Sequence, residues 1–118
     1  MHTSSEHPID AATANTVDAF LDRVASVFPL KSAFLFGSRA RGEFRPDSDA
    51  DVAVLLHGQH GQLMNAKMAM ADMAFDVLLD TGIRVEALPV WEDEWSNPEA
   101  YCNPRLLKNI ERDGVIVR

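Results

Sequence analysis

The chain has 118 residues, 47% apolar and 25% charged, which bounds it to one globular domain, 1–118, with one core. A net charge of −7 opposes binding to long nucleic acid, which calls for a basic face, and no apolar run reaches the ~18 residues of a membrane span. Cys102 stands alone, which excludes an intrachain disulfide, and MHTSSEHPID lacks the basic-then-apolar order of a signal peptide, so a reducing cytoplasm is the expected location.

Residues 1–12 are polar and expected to be flexible. Val17, Phe20, Leu21, Val24 and Phe28 recur at helical spacing and predict a helix over 13–28, ended by Pro29. Residues 33–36 are apolar and closed by Gly37, as in a short strand. A loop follows over 38–48, with a helical turn at Ser38–Arg41, and then a strand over 51–56. Residues 57–61 form a turn and 62–80 a long helix, stopped near Gly82. A third strand is predicted over 83–90, with Pro89 placing its end at a sheet edge or outside the ladder. Residues 91–97 read as a helical piece or turn, 98–112 as a helix and 115–117 as a short final strand. The order implies an α/β (α+β) fold, a small mixed sheet covered by helices.

The chemistry concentrates in FLFGSRARGEFRPDSDADVAVLL, residues 34–56. On a strand, Asp49 and Asp51 point to the same side. Two carboxylates that close repel one another unless they share a proton or bind a divalent cation. Mg²⁺ suits them, since it takes carboxylate oxygens and binds phosphates as well. On the other side, Gly37 lets backbone approach a ligand, Ser38 adds a donor at the start of a helical turn, and Arg39, Arg41 and Arg45 add positive charge. Phosphate donors facing a metal clamp describe a nucleoside triphosphate site. Asp47 and Ser48 read as shaping the turn.

Gly37-Ser38, ten residues, then Asp49-Ala50-Asp51 resembles the nucleotidyltransferase motif of the DNA polymerase β-like superfamily. The fuller run G-S-R-A-R-G…S-D-A-D is similar to that of the minimal nucleotidyltransferases, the MNT family. The resemblance implies a polymerase β-like palm fold in which Gly37 and Ser38 contact the triphosphate and Asp49 and Asp51 hold Mg²⁺, usually two ions. It further implies that Arg41, and less directly Arg39, neutralises phosphate charge, with ATP as the substrate. Active members carry a third carboxylate on a neighbouring strand, and the candidate is Glu86, in IRVEA. Glu86 is either a metal ligand and base or an exposed acid paired with Arg84.

Other features carry less. His57 and His60 flank a turn glycine, Trp91 and Trp95 cover a core edge, and Glu92–Glu94 form a solvated face or a helix start. The 62–80 helix has a narrow polar stripe of Asn65, Asp72, Asp76 and Asp80. Leu63, Met70, Ala74 and Leu78 are expected to meet the sheet. Met64, Met68, Phe75 and Leu79 form a second apolar flank, either an interface for a partner or a second copy, or a surface buried under other helices.

Two functions fit. One is an enzyme moving AMP from ATP to an acceptor; in the MNT family that acceptor is often a HEPN-domain ribonuclease toxin, which the MNT antitoxin modifies on a tyrosine. The other is an inactive MNT-fold module that neutralises its partner by contact. A small-molecule (antibiotic) nucleotidyltransferase ranks below both, because the chain leaves little room for an acceptor domain.

Overall fold

A computed structural model describes residues 9–118. Residues 1–8 of the segment expected to be flexible lie outside the described residues. Helix α1, Ala11–Ala25, begins two residues before the predicted start at 13, because Asp10 caps it. The Asp10 carboxylate accepts from the Thr13 N–H at 2.9 Å and the Thr13 hydroxyl at 2.8 Å. The helix stops three residues short of Phe28, since a residue before proline is pushed out of helical geometry.

Strand β1 runs Leu30–Phe36, longer than its apolar core of 33–36 because pairing with β2 recruits Leu30 and Ser32, with the register shifting at Lys31 between them. The turn α2, Ser38–Arg41, and strand β2, Ala50–Leu56, follow. Helix α3 is Leu63–Thr81, and Gly82 ends it with a left-handed φ of 78° and an N–H on the Leu78 carbonyl. Strand β3, Val85–Trp91, leads into α4, Glu92–Ser96. The helix expected over 98–112 is instead a single 3₁₀ turn, Pro98–Ala100, and a helix α5, Pro104–Asp113. Asn103 and Pro104 make a new helix start there, the Asn103 carboxamide accepting from the Leu106 N–H. Strand β4 is Val115–Ile116.

The sheet order is β3-β2-β1-β4. Strand β1 is antiparallel to β2 and β4, whereas β2 and β3 are parallel and α3 forms their crossover. The sheet is therefore mixed, and β3 is an edge strand, the first of the two readings of Pro89, which stays in register with Val54. The two-residue strand period sorts the side chains. Leu35, Val52, Val54 and Leu56 pack with Phe20, Val24, Met70 and Val77 from α1 and α3. Phe34, Ala53 and Leu55 pack on the other face with Ile110 of α5, and Trp95 of α4 stacks on Phe34. Each such large side chain, once fully buried, contributes roughly 1.5–3 kcal/mol.

This alternation also places the acids. Asp51 lies on the Ala53–Leu55 side of β2, and Glu86 lies on the Leu88 side of β3. Both therefore share one face, at the end of the sheet where β1 finishes and β2 and β3 begin.

Candidate active site

At the end of β1 the chain turns through Gly37, with φ 78° and ψ −159°. That backbone conformation is reserved almost entirely for glycine. Space gives a second reason. A Cβ on Gly37 would stand 2.3 Å from Oδ2 of Asp51. The turn backbone and the Asp51 carboxylate are thus in close approach, held by the register that sets Phe36 opposite Asp51. The Gly37 carbonyl accepts from the N–H groups of Ala40 and Arg41, which closes α2. The first-turn N–H groups of Ser38 and Arg39 have no acceptor within a helix that short.

On its other side Asp51 is the register partner of Glu86. Its carboxyl is held above the usual carboxylate range. Burial is the main cause, followed by the charges of Asp49 and Glu86, with Arg41 opposing them. The structure therefore brings Gly37, Asp49, Asp51, Glu86 and Arg41 to one place, with Ser38 next to Gly37. Arg41 itself is exposed and also pairs with Glu43 at 3.6 Å.

Glu86 answers to both sequence readings. It stands beside Asp51, yet its side chain is 52% exposed and lies 3.7 Å from Arg84 Nη2. Among the described residues, no three acidic, histidine or cysteine side chains form a ready-made metal cage. The donors that are present, carboxylates that repel one another beside backbone N–H groups, suit a hard divalent cation. Such an ion completes its shell with water and phosphate oxygens.

Arg39 is the departure. Expected to face phosphate, it is 3% exposed and faces the protein instead. Its Nε donates to the Ser48 carbonyl at 2.9 Å, Nη2 to the Pro46 carbonyl at 3.1 Å, and Nη1 to the Thr13 hydroxyl at 2.8 Å. Its guanidinium also covers the Phe44 ring, 4.5 Å from the centroid. A planar fork with several fixed donors suits several carbonyls at once. Arg39 therefore clamps the loop that delivers Asp49 and ties it to the start of α1. Sequence reading missed this role because Thr13 is 26 positions away and marks nothing by itself.

Ser48 shapes the turn as expected, its hydroxyl accepting from the Arg45 N–H at 2.9 Å. Asp47 is simply exposed. His57 and His60 pair with Glu92 and Asp93 respectively, joining the 57–61 turn to α4. On α3, Asp76 and Asp80 of the polar stripe meet Arg23 of α1. Met64, Met68, Phe75 and Leu79 are 58–69% exposed, so burial under other helices is excluded for that flank.

Comparison with known proteins bears on the family and the fold. The sequence profile described as "Nucleotidyltransferase domain" matches residues 17–117. A crystallised Sulfolobus solfataricus protein assigned as a nucleotidyltransferase superposes with TM-score 0.55 at 21% identity, over 93% of this chain and 89% of its own. A crystal structure of a toxin–antitoxin with AMP-PNP superposes with TM-score 0.62 at 18% identity, over 89% of this chain and 72% of that one. No curated protein sequence matches significantly. At such identities the solved structures establish the fold, an α/β nucleotidyltransferase fold of the kind the opening motif suggested. The profile spans nearly the whole chain and includes the glycine turn and all three acids, and on that ground the chain belongs to the nucleotidyltransferase domain family.

Proposed function

We propose that this protein transfers AMP from ATP to a hydroxyl group on a partner protein, a HEPN-type toxin, and so acts as its antitoxin in the cytoplasm. The observation that carries the reading is the close approach of Gly37 to Asp51, which sets a backbone turn suited to phosphate against a carboxylate suited to a metal ion. The toxin–antitoxin that shares this fold was crystallised with AMP-PNP, which supports an adenine nucleotide and a protein partner.

Each residue has a task in this reading. The turn at Gly37 and Ser38 holds the triphosphate, and Arg41 offsets its charge. Asp49 and Asp51, with Glu86, would hold Mg²⁺, as two ions. When bound, Mg²⁺ supplies neutralisation of charge on the phosphates. The acceptor oxygen attacks the α-phosphorus, the bond from that phosphorus to the bridging oxygen breaks, and pyrophosphate leaves. The acceptor proton passes to the Glu86 carboxylate or to solvent.

Incubation with the product of the neighbouring open reading frame, ATP and Mg²⁺ should yield an AMP adduct visible by mass spectrometry. Asp49→Asn with Asp51→Asn should reduce its formation by about 10²-fold or more. A wild type that gives no adduct, yet neutralises the toxin as well as this variant does, would sink the enzymatic reading. It would leave the second one, a module that inhibits by contact. The pairing of Glu86 with Arg84 is the observation that favours that alternative.

A further inference from the structure

An open groove of about 510 Å³ runs between α3 and the start of β3. Met64, Met68 and Phe75 line one wall, and Val85, Glu86 and Ala87 line the other. Its apolar wall is the exposed flank of α3. Large apolar side chains gathered this way mark an interaction site more often than an idle surface. Its other wall is the outer edge of the sheet.

Among the described residues, that edge has free backbone groups. The Ala50 N–H donates to the Arg84 carbonyl at 2.8 Å, so in the parallel ladder the even positions of β3 bond to β2. The odd positions, Val85 and Ala87, turn their N–H and C=O groups outward. Pro89, also outward, has no N–H to offer and ends the usable edge. What remains is a short edge centred on Glu86, the residue opposite Asp51.

Resting on the transferase reading, we propose that this groove seats the acceptor. The occupant is an extended polypeptide segment that pairs with the β3 edge at Val85 and Ala87. Alternate side chains of the segment rest on Met64, Met68 and Phe75, and the pairing carries its hydroxyl residue to Glu86. Strand addition supplies affinity through backbone bonds and selectivity through alternate side chains. The groove and the acidic site share Glu86, so an occupant of one is delivered to the other. A second copy is the poorer fit. Each chain carries a net charge of −7, and pairing two copies through this edge would bring two acidic sites to one seam.

The test uses a pooled library of nine-residue peptides with a central Tyr, Ser or Thr and random flanks, given to the full chain with ATP and Mg²⁺. AMP-bearing products are sequenced by mass spectrometry. Wild type should enrich apolar residues one and three positions from the modified hydroxyl residue, on the strand face opposite it, since α3 packs on the sheet face opposite Glu86. Met68→Glu with Phe75→Glu should abolish that enrichment and cut total modification at least 10-fold. Thermal stabilisation by Mg²⁺ and AMP-PNP should stay unchanged in this variant, which shows that it folds and keeps its nucleotide site. Modified peptides without period-two apolar bias, or a profile unaffected by the variant, would overturn the groove. So would a wild type that modifies no peptide while modifying the intact neighbouring gene product, which leaves the transferase reading standing. If neither is modified, both readings fall. A wild-type dimer that the variant splits, with peptide profiles unchanged, would assign the groove to a second copy.

Discussion

Replacing Arg39 with alanine separates a clamp from a phosphate ligand. The side chain is buried and donates to Ser48 and Pro46 carbonyls and the Thr13 hydroxyl at 2.8–3.1 Å. Hydrogen bonds from a charged donor are each worth roughly 1.5–3 kcal/mol, though bonds from one group do not add. Asp10, 4.0 Å away and partly exposed, adds little. Truncation also strands loop carbonyls, at roughly 1–3 kcal/mol for each that water fails to reach. A net loss of about 3 kcal/mol follows. At roughly 4 °C per kcal/mol for a chain of this size, Tm should fall by about 12 °C. Arg39→Lys keeps the charge and loses the fork, and should recover about a third of the loss. Urea unfolding with two probes gives the free energies, and Mg²⁺–AMP-PNP titration gives the nucleotide affinity. If Arg39→Ala unfolds within ~0.5 kcal/mol of wild type while nucleotide affinity drops sharply, the side chain serves phosphate and the clamp is refuted.

Gly37→Ala should cost about 2 kcal/mol or more, since it strains a glycine-only backbone and pushes a methyl group into Asp51; Asp51→Gly in the same chain should relieve the clash and leave only the strain, as denaturant titration of the double variant will measure. Asp51→Asn should raise stability by ~0.5 kcal/mol at pH 8 without Mg²⁺, because it removes a repelled charge. The sign follows from the Asp51 carboxyl lying above its unfolded value. Its contribution is full below the unfolded value and is lost as pH rises through the folded one, so the gain should vanish at low pH in parallel melts. Stabilisation of wild type by Mg²⁺ should fade as pH falls through that raised value, because protons displace the ion. Tyr101→Phe should be neutral or stabilise by up to ~1 kcal/mol. Among the described residues the buried Tyr101 hydroxyl has no hydrogen-bond partner, and burial pushes its pKa up to about 12; a calorimetric loss above 1 kcal/mol would point to a partner instead.

Much of this was legible in the sequence for physical reasons. The 34–56 stretch holds a strand end, a turn and a strand start within a few residues, so local rules suffice to place Gly37 and Asp51. Strand alternation likewise set Val85 and Ala87 apart from Glu86 and Leu88, as found. The apolar flank of α3 was visible as a pattern, whereas its exposure was not. Whether Met68 meets solvent depends on what packs beside α3, and helix periodicity is silent on that. Arg39 failed for the opposite reason. A charged residue in a glycine-serine loop looks solvated until the loop closes over it and supplies carbonyls. Its partners come from the chain's own loop and from the start of α1, a long-range meeting that no spacing encodes. The break between Ala100 and Pro104 was hidden because Leu106, Leu107 and Ile110 keep helical spacing on only one side of it.

The position of β3 in the sheet has an evolutionary consequence. Strand β2 is enclosed between neighbours, so any change beside Asp49 or Asp51 disturbs two ladders at once. Strand β3 answers to one ladder only. Residues along its outer rim and on the facing side of α3 are free to vary without disturbing the phosphate turn. A lineage could thus exchange one client for another by altering Met64, Met68, Phe75 or Ala87, while the half of the fold that handles the nucleotide stays fixed.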